Sequence, residues 1–184
     1  MIDLAIGLIG EGGLGALTFR SLARAAGTST APFTTEFGTR EVMLEAILKE
    51  VWRRLGIQGD EADSDGPLET LRLVLRRATP VDQPVSPEMA AWPDLYVEAT
   101  RNDSLRKALV EVEAEEYPAY ISLIEGAQRA GQLPESLDPG DLLSSLWALG
   151  DGLLLGYVLY PDHFTAQRAS RIWEDGFSAL TSGR

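Results

Sequence analysis

Apolar residues recur three and four positions apart along nearly the whole chain, and no stretch alternates as a half-buried strand would. Residues 2–12 predict a first helix with Leu4, Ala5, Leu8 and Ile9 on one face. A second helix begins after the cap candidate Thr18 and ends near Ala26. Its buried face is Leu22, Ala23 and Ala26, and Gly27 follows as a stop signal. A third covers 30–35, with Ser29 as its cap, Pro32 in the first turn, and Phe33 and Phe37 as buried anchors. A fourth starts after Thr39 and runs past Trp52 to Leu55-Gly56. Two short helices joined by a glycine turn are a helix-turn-helix, whose second helix enters the major groove in DNA-binding versions.

Residues 58–66 are acidic and aperiodic, which predicts a loop and a domain boundary. Beyond it, helices are expected over 68–78, over 89–100 with a disturbance at Pro93, and over 105–130 with an interruption at Pro118. A three-proline connection occupies 79–87. Another helix runs from Asp138-Pro139 to Tyr160, and a last one from near Thr165 carries Ile172, Trp173, Phe177 and Leu180. The predicted fold is all-α. The N-terminal part, 1–56, holds three helices with the helix-turn-helix and the start of a connecting helix, and 57–184 is a second, all-helical part. Residues 142–160 are apolar nearly all round. Asp151 at their centre, with Ser144 and Ser145, favours a helix buried between its own core and a partner over a membrane span.

Charge first argues against nucleic acid, since the net charge is −12. Its distribution softens this. Residues 1–56 hold six basic side chains (Arg20, Arg24, Arg40, Lys49, Arg53, Arg54) and six acidic ones (Asp3, Glu11, Glu36, Glu41, Glu45, Glu50), so the whole excess lies in 57–184. The absence of cysteine excludes disulfides and thiolate metal sites and fits a reducing, cytoplasmic setting. His163 is the sole histidine, so a His-rich metal site is excluded, and no G-x-S-x-G or P-loop occurs. The expectation is no enzyme, no metal and no cofactor.

Ile2-Asp3-x-Ala5, Leu8-Ile9, Glu11, Gly13, Leu17-Thr18, Arg20, Leu22-Ala23, Ala26-Gly27, Ser29, Phe33, Phe37, Thr39 and Glu41 fall where TetR-family transcriptional repressors place their pattern. The rest, through Glu98 to Leu109 and Leu149 to Leu153, is more loosely similar to the regulatory domains of that family. The resemblance implies a ligand-responsive repressor that binds a near-palindromic operator as a homodimer and is released by a small-molecule inducer, with 1–56 as the DNA-binding domain and 57–184 as a helical ligand-binding and dimerisation domain. DNA contacts are then expected from Thr18, Arg20, Ser29, Thr30, Ala31, Thr34, Thr35, Thr39 and Arg40. The sequence departs from the family at Thr34, where a tyrosine is usual, and at Glu36, often basic or histidine. No Lys or Arg lies between Ala25 and Gly38, so arginine-to-guanine readout from the third helix is unavailable. Thr30, Thr34 and Thr35 offer hydroxyls for phosphates or bases and methyls for thymine. Glu36 is equally a solvated residue at a helix end.

The resemblance also implies an inducer pocket among the helices carrying Trp92, Tyr96, Tyr117, Tyr120 and Trp147, with Asp151 as a polar contact. Ordinary core aromatics, and an ion pair or helix-start contact for Asp151, are the alternatives. Leu146, Leu149, Leu153, Ile172, Trp173, Phe177 and Leu180 are expected at the dimer interface, with Gly150, Gly152 and Gly156 permitting close helix approach. The competing reading of that face is core alone. Two other functions stand beside the repressor. A helical ligand-binding dimer that has lost DNA binding is one. The other is a dinucleotide-binding enzyme, because Gly10-Glu11-Gly12-Gly13-Leu14-Gly15 matches G-x-G-x-x-G with Glu36 near the ribose-binding position.

Overall fold

A computed structural model describes residues 1–57, 66–81, 85–160 and 162–183. Among them lie nine α-helices and no strand: α1 Ile2–Gly12, α2 Phe19–Ala25, α3 Ala31–Phe37, α4 Arg40–Leu55, α5 Pro67–Arg77, α6 Pro87–Ala99, α7 Asp103–Arg129, α8 Pro139–Leu159 and α9 Ala166–Thr181. A single 3₁₀ turn, Leu14–Ala16, separates α1 from α2. The boundary expected over 58–66 falls, but for Gly66, outside the described residues. Neither Pro93 nor Pro118 breaks its helix, so the disturbance and the interruption expected there do not end α6 or α7.

Packing divides the chain into two compact units, Met1–Arg54 with Val85–Glu113, and Leu55–Pro84 with Ala114–Arg184. This is not the linear split at 56/57, because α6 and the first part of α7 pack with the N-terminal helices. The first unit is built on α1 and α6. A Cβ added at Gly10 would lie 3.1 Å from the Ala90 Cβ, so glycine lets the two helices meet. Asp94 of α6 accepts the Leu14 N–H at 3.2 Å and so holds the turn after α1. Gly10 and Gly12 lie inside a helix, with no strand before them, so the G-x-G-x-x-G match is not a phosphate-binding turn. The dinucleotide reading falls with it.

Within α1 the buried residues are Ala5, Ile6 and Ile9; Leu4 is exposed and Leu8 half-buried, so the buried face is rotated from the one expected. Arg54, at the end of α4, joins three carboxylates: Asp3, Glu50 and Glu88. These bonds raise its pKa, that to Asp3 most. Glu50 is held at about 2, chiefly by the hydrogen bond from Arg53 with Arg54 adding to it. Burial pushes Glu88 up, but Arg54, its own backbone N–H and Ser86 together outweigh it and hold it below the usual range.

The second unit has its own core, in which Leu71, Val74, Tyr120, Ile124, Leu143, Leu146, Trp173 and Phe177 are buried. α8 and α9 approach through Gly176, where an added Cβ would lie 2.7 Å from Leu149. α8 is long and apolar enough to cross a membrane by length and composition, with mean hydropathy 1.5. Its residues Leu142, Leu143, Leu146, Leu153 and Leu154 are buried in the protein.

Candidate nucleic-acid interface

The reading helix is placed by its neighbours. Thr18 and Ser21 cap α2 reciprocally: the Ser21 N–H donates to the Thr18 hydroxyl at 3.0 Å, and the Thr18 N–H to the Ser21 hydroxyl at 2.9 Å. α2 ends at Gly27, whose φ of 64° is the left-handed region that favours glycine. The Thr28 N–H reaches back to the Ala23 carbonyl at 2.9 Å and the Gly27 N–H to Arg24 at 3.2 Å. That six-to-one, five-to-two pair fixes the direction in which the chain leaves α2. Phe33 and Phe37, one turn apart, are buried and anchor α3. Leu22 and Ala23 are buried as expected; Ala26 is exposed, because the chain turns away there.

Helix geometry then turns the remaining α3 side chains outward. At about 100° per residue, Ala31, Pro32 and Thr35 lie opposite the two phenylalanines, flanked by Thr34 and Glu36. All five are exposed. Ser29 does not cap α3. The cap position is Thr30, in helical conformation and without a side-chain cap bond, and Pro32 removes one of the N–H groups a cap would serve. The Thr34 hydroxyl donates back to its own helix, 3.1 Å from the Ala31 carbonyl and 3.3 Å from that of Thr30.

Thr18, Arg20, Ser29, Thr30, Ala31, Thr34, Thr35, Thr39 and Arg40 are all exposed. Arg40 donates to the Leu14 carbonyl at 3.0 Å, tying the start of α4 to the turn before α2. Arg20 makes no ion pair among the described residues. Arg24, exposed in the last turn of α2, is a further cation of the helix-turn-helix, outside the expected set. Of the other cations in α4, Lys49 pairs with Glu111 at 3.0 Å, and Arg53 and Arg54 with Glu50. They are tied to carboxylates.

The six residues expected around a ligand fall into two groups. Trp92 is buried against Trp52, centroids 5.4 Å apart, and touches the half-exposed Tyr96, also at 5.4 Å; all three belong to the first unit. Tyr117, Tyr120 and Trp147 gather in the second. Trp147 meets Tyr120 edge-on at 5.6 Å and Tyr117 at 6.4 Å. Burial raises the Tyr120 phenol, and the neighbouring Glu116 carboxylate raises it further. Glu116, one turn before Tyr120, carries a signal visible in the sequence as an i, i+4 pair. Asp151 is half-buried on α8.

The residues expected at a dimer interface separate as well. Leu146, Leu153, Trp173 and Phe177 are buried in the chain's own core and keep no surface for a partner. Leu149, Ile172 and Leu180 are half-buried. Gly150 and Gly156 receive Thr79 and Phe164 of the same chain, with an added Cβ at 3.3 and 3.1 Å; only Gly152 faces open space.

Residues 1–47 match the family described as bacterial regulatory proteins, tetR family, and residues 67–182 match the BetI-type transcriptional repressor C-terminal family. The chain is 32% identical to the HTH-type transcriptional regulator BetI of Rhizobium meliloti over 60% of its own length and 55% of that protein. The match thus spans about half of that relative. With BetI of Burkholderia thailandensis it is 29% identical over 100% of this chain and 93% of that one. Its fold is that of a TetR-family regulator from Rhodococcus sp., with TM-score 0.83, 23% identity and coverage of 98% and 96%. A transcriptional regulator from Saccharomonospora viridis, solved with choline, is similar with TM-score 0.79, 19% identity and coverage of 96% and 93%. With a capped α2, a glycine turn, a solvent-facing α3 and both family matches in register, the chain belongs to the tetR family of bacterial regulatory proteins.

Proposed function

We propose that this chain is a cytoplasmic, ligand-responsive repressor that acts by binding alone, gripping a near-palindromic operator as a homodimer. Residues 1–56 read DNA and 57–184 bind the ligand and the second subunit. The observation that carries the DNA reading is the exposed face of α3, anchored by the buried Phe33 and Phe37, with Arg20 exposed on α2 and Thr39 and Arg40 exposed at the start of α4. Arg20 and Arg40 serve phosphates, which position the protein without specifying sequence. The test is duplex selection from a randomised pool. An enriched palindrome bound by the purified chain supports the reading; a pool that stays random favours a dimer without DNA binding.

The ligand is a compact organic cation held by Tyr117, Tyr120 and Trp147. Aromatic faces attract a desolvated ammonium group, and the Glu116 carboxylate beside Tyr120 adds to that attraction. The choline-bound relative from Saccharomonospora viridis supports this class. Calorimetry with choline on wild type and on Trp147→Ala tests it: heat that survives the substitution unchanged places the ligand elsewhere.

The dimer face is the exposed stripe of α8 formed by Ser144, Ala148, Gly152, Leu155 and Leu159, with Ile172 and Ala179 of α9. The α8 residues are four, four, three and four apart, one helix face, and Gly152 leaves room for a neighbouring helix.

A further inference from the structure

α3 presents a chemically narrow surface. Its outward face carries the Ala31 methyl, the Pro32 ring, Thr34 and Thr35, with Glu36 at one edge. The Thr34 hydroxyl proton is already donated inside the helix, so toward a base Thr34 offers a methyl and an acceptor lone pair. None of the five carries a cation or a carboxamide, so neither guanine O6/N7 nor adenine N6/N7 finds a bidentate partner.

Two base edges fit what remains. Thymine presents a C5-methyl in the major groove, which matches Ala31, Pro32 and the threonine methyls. A carboxylate brought among phosphates is repelled and desolvated unless a donor receives it. Cytosine presents its N4 amino group there beside a single acceptor, the O6 of its paired guanine, whereas the amino group of adenine lies between its own N7 and the O4 of its paired thymine, two acceptors that repel an oxygen anion. We propose that α3 reads its operator through thymine methyls, contacted by Ala31, Pro32, Thr34 and Thr35, and one cytosine amino group, accepted by Glu36. This rests on the chain binding duplex DNA.

The full chain is first used to select a duplex from a random pool. In the selected site each thymine is replaced singly by uracil, cytosine by N4-methylcytosine, and guanine by 7-deazaguanine. Uracil at contacted positions lowers affinity about fourfold per methyl, the size expected for one buried methyl group. N4-methylcytosine weakens binding at one position per half-site, and Glu36→Gln moves the preference there from cytosine to adenine, because a carboxamide pairs with adenine N6/N7. Substitution by 7-deazaguanine changes nothing. A selected duplex indifferent to uracil, or one that loses binding on removal of a guanine N7, overturns this inference while DNA binding stands. A pool that yields no preferred duplex overturns the DNA reading and this inference with it.

Discussion

Glu50 is the carboxyl of the first unit through which folding couples most directly to pH. Its carboxyl accepts from Arg53 at 2.8 and 2.9 Å and from Arg54 at 2.7 Å, and it sits at about 2 instead of 4.5. A carboxyl depressed by folding stabilises the native state fully above its unfolded pKa and loses that contribution as pH falls through the folded one. Urea midpoints should therefore decline between about pH 4.5 and 2, and Glu50→Gln should be less stable at pH 7 with a shallower decline in that window. An identical acid limb in both proteins would assign the loss to other carboxylates. Arg40 makes a second residue-scale case. Arg40→Ala should weaken operator binding evenly across sequences and lower the salt slope by about one per subunit. A changed base preference in that variant would contradict a phosphate role.

At the scale of elements, the α2–α3 turn depends on one backbone conformation. An added Cβ at Gly27 meets nothing within 4 Å, so the cost of Gly27→Ala is the left-handed φ alone. Destabilisation of about 1–2 kcal/mol is expected in denaturant unfolding. α8 and α9 give a sharper contrast. Ala148→Asp with Leu155→Asp charges the exposed stripe and leaves the core intact, so sedimentation should show a folded monomer. Trp173→Ala instead empties a fully buried site and should cost about 3–5 kcal/mol of stability. A dimer that survives the double aspartate variant would place the interface on another face.

For the whole molecule, regulation requires that ligand and operator prefer different states of one protein. Coupling is then about 1–3 kcal/mol and reciprocal, so operator must weaken the proposed ligand by the factor by which that ligand weakens operator. Calorimetry of choline with and without duplex measures this, and equal affinities would mean that the occupied site does not govern DNA binding. α6 is the segment to watch. It follows the boundary in sequence, yet Asp94 and Ala90 pack it onto the α1 end of the reader.

Local chemistry wrote much of this protein into its sequence. Thr18, Gly27, Pro32 and the Phe33–Phe37 pair act over one or two turns, and they were enough to place α2, α3 and their exposed face. Helical periodicity alone gave the all-α class, and Asp138, Pro139 and Thr165 marked where α8 and α9 begin. Tertiary structure decided whatever depends on which partner fills a face. Trp173 and Phe177 repeat at the spacing of an interface, but the core of their own unit, with α8 as the main partner of α9, buries them inside the chain. Periodicity records that a side chain is buried, never against what. Trp92 likewise packs on Trp52, because α6 joins the N-terminal helices through α1, a pairing across some eighty residues that no local signal encodes. The glycines at 10 and 12 read as a phosphate turn until the helix around them showed that Gly10 is there for the approach of Ala90.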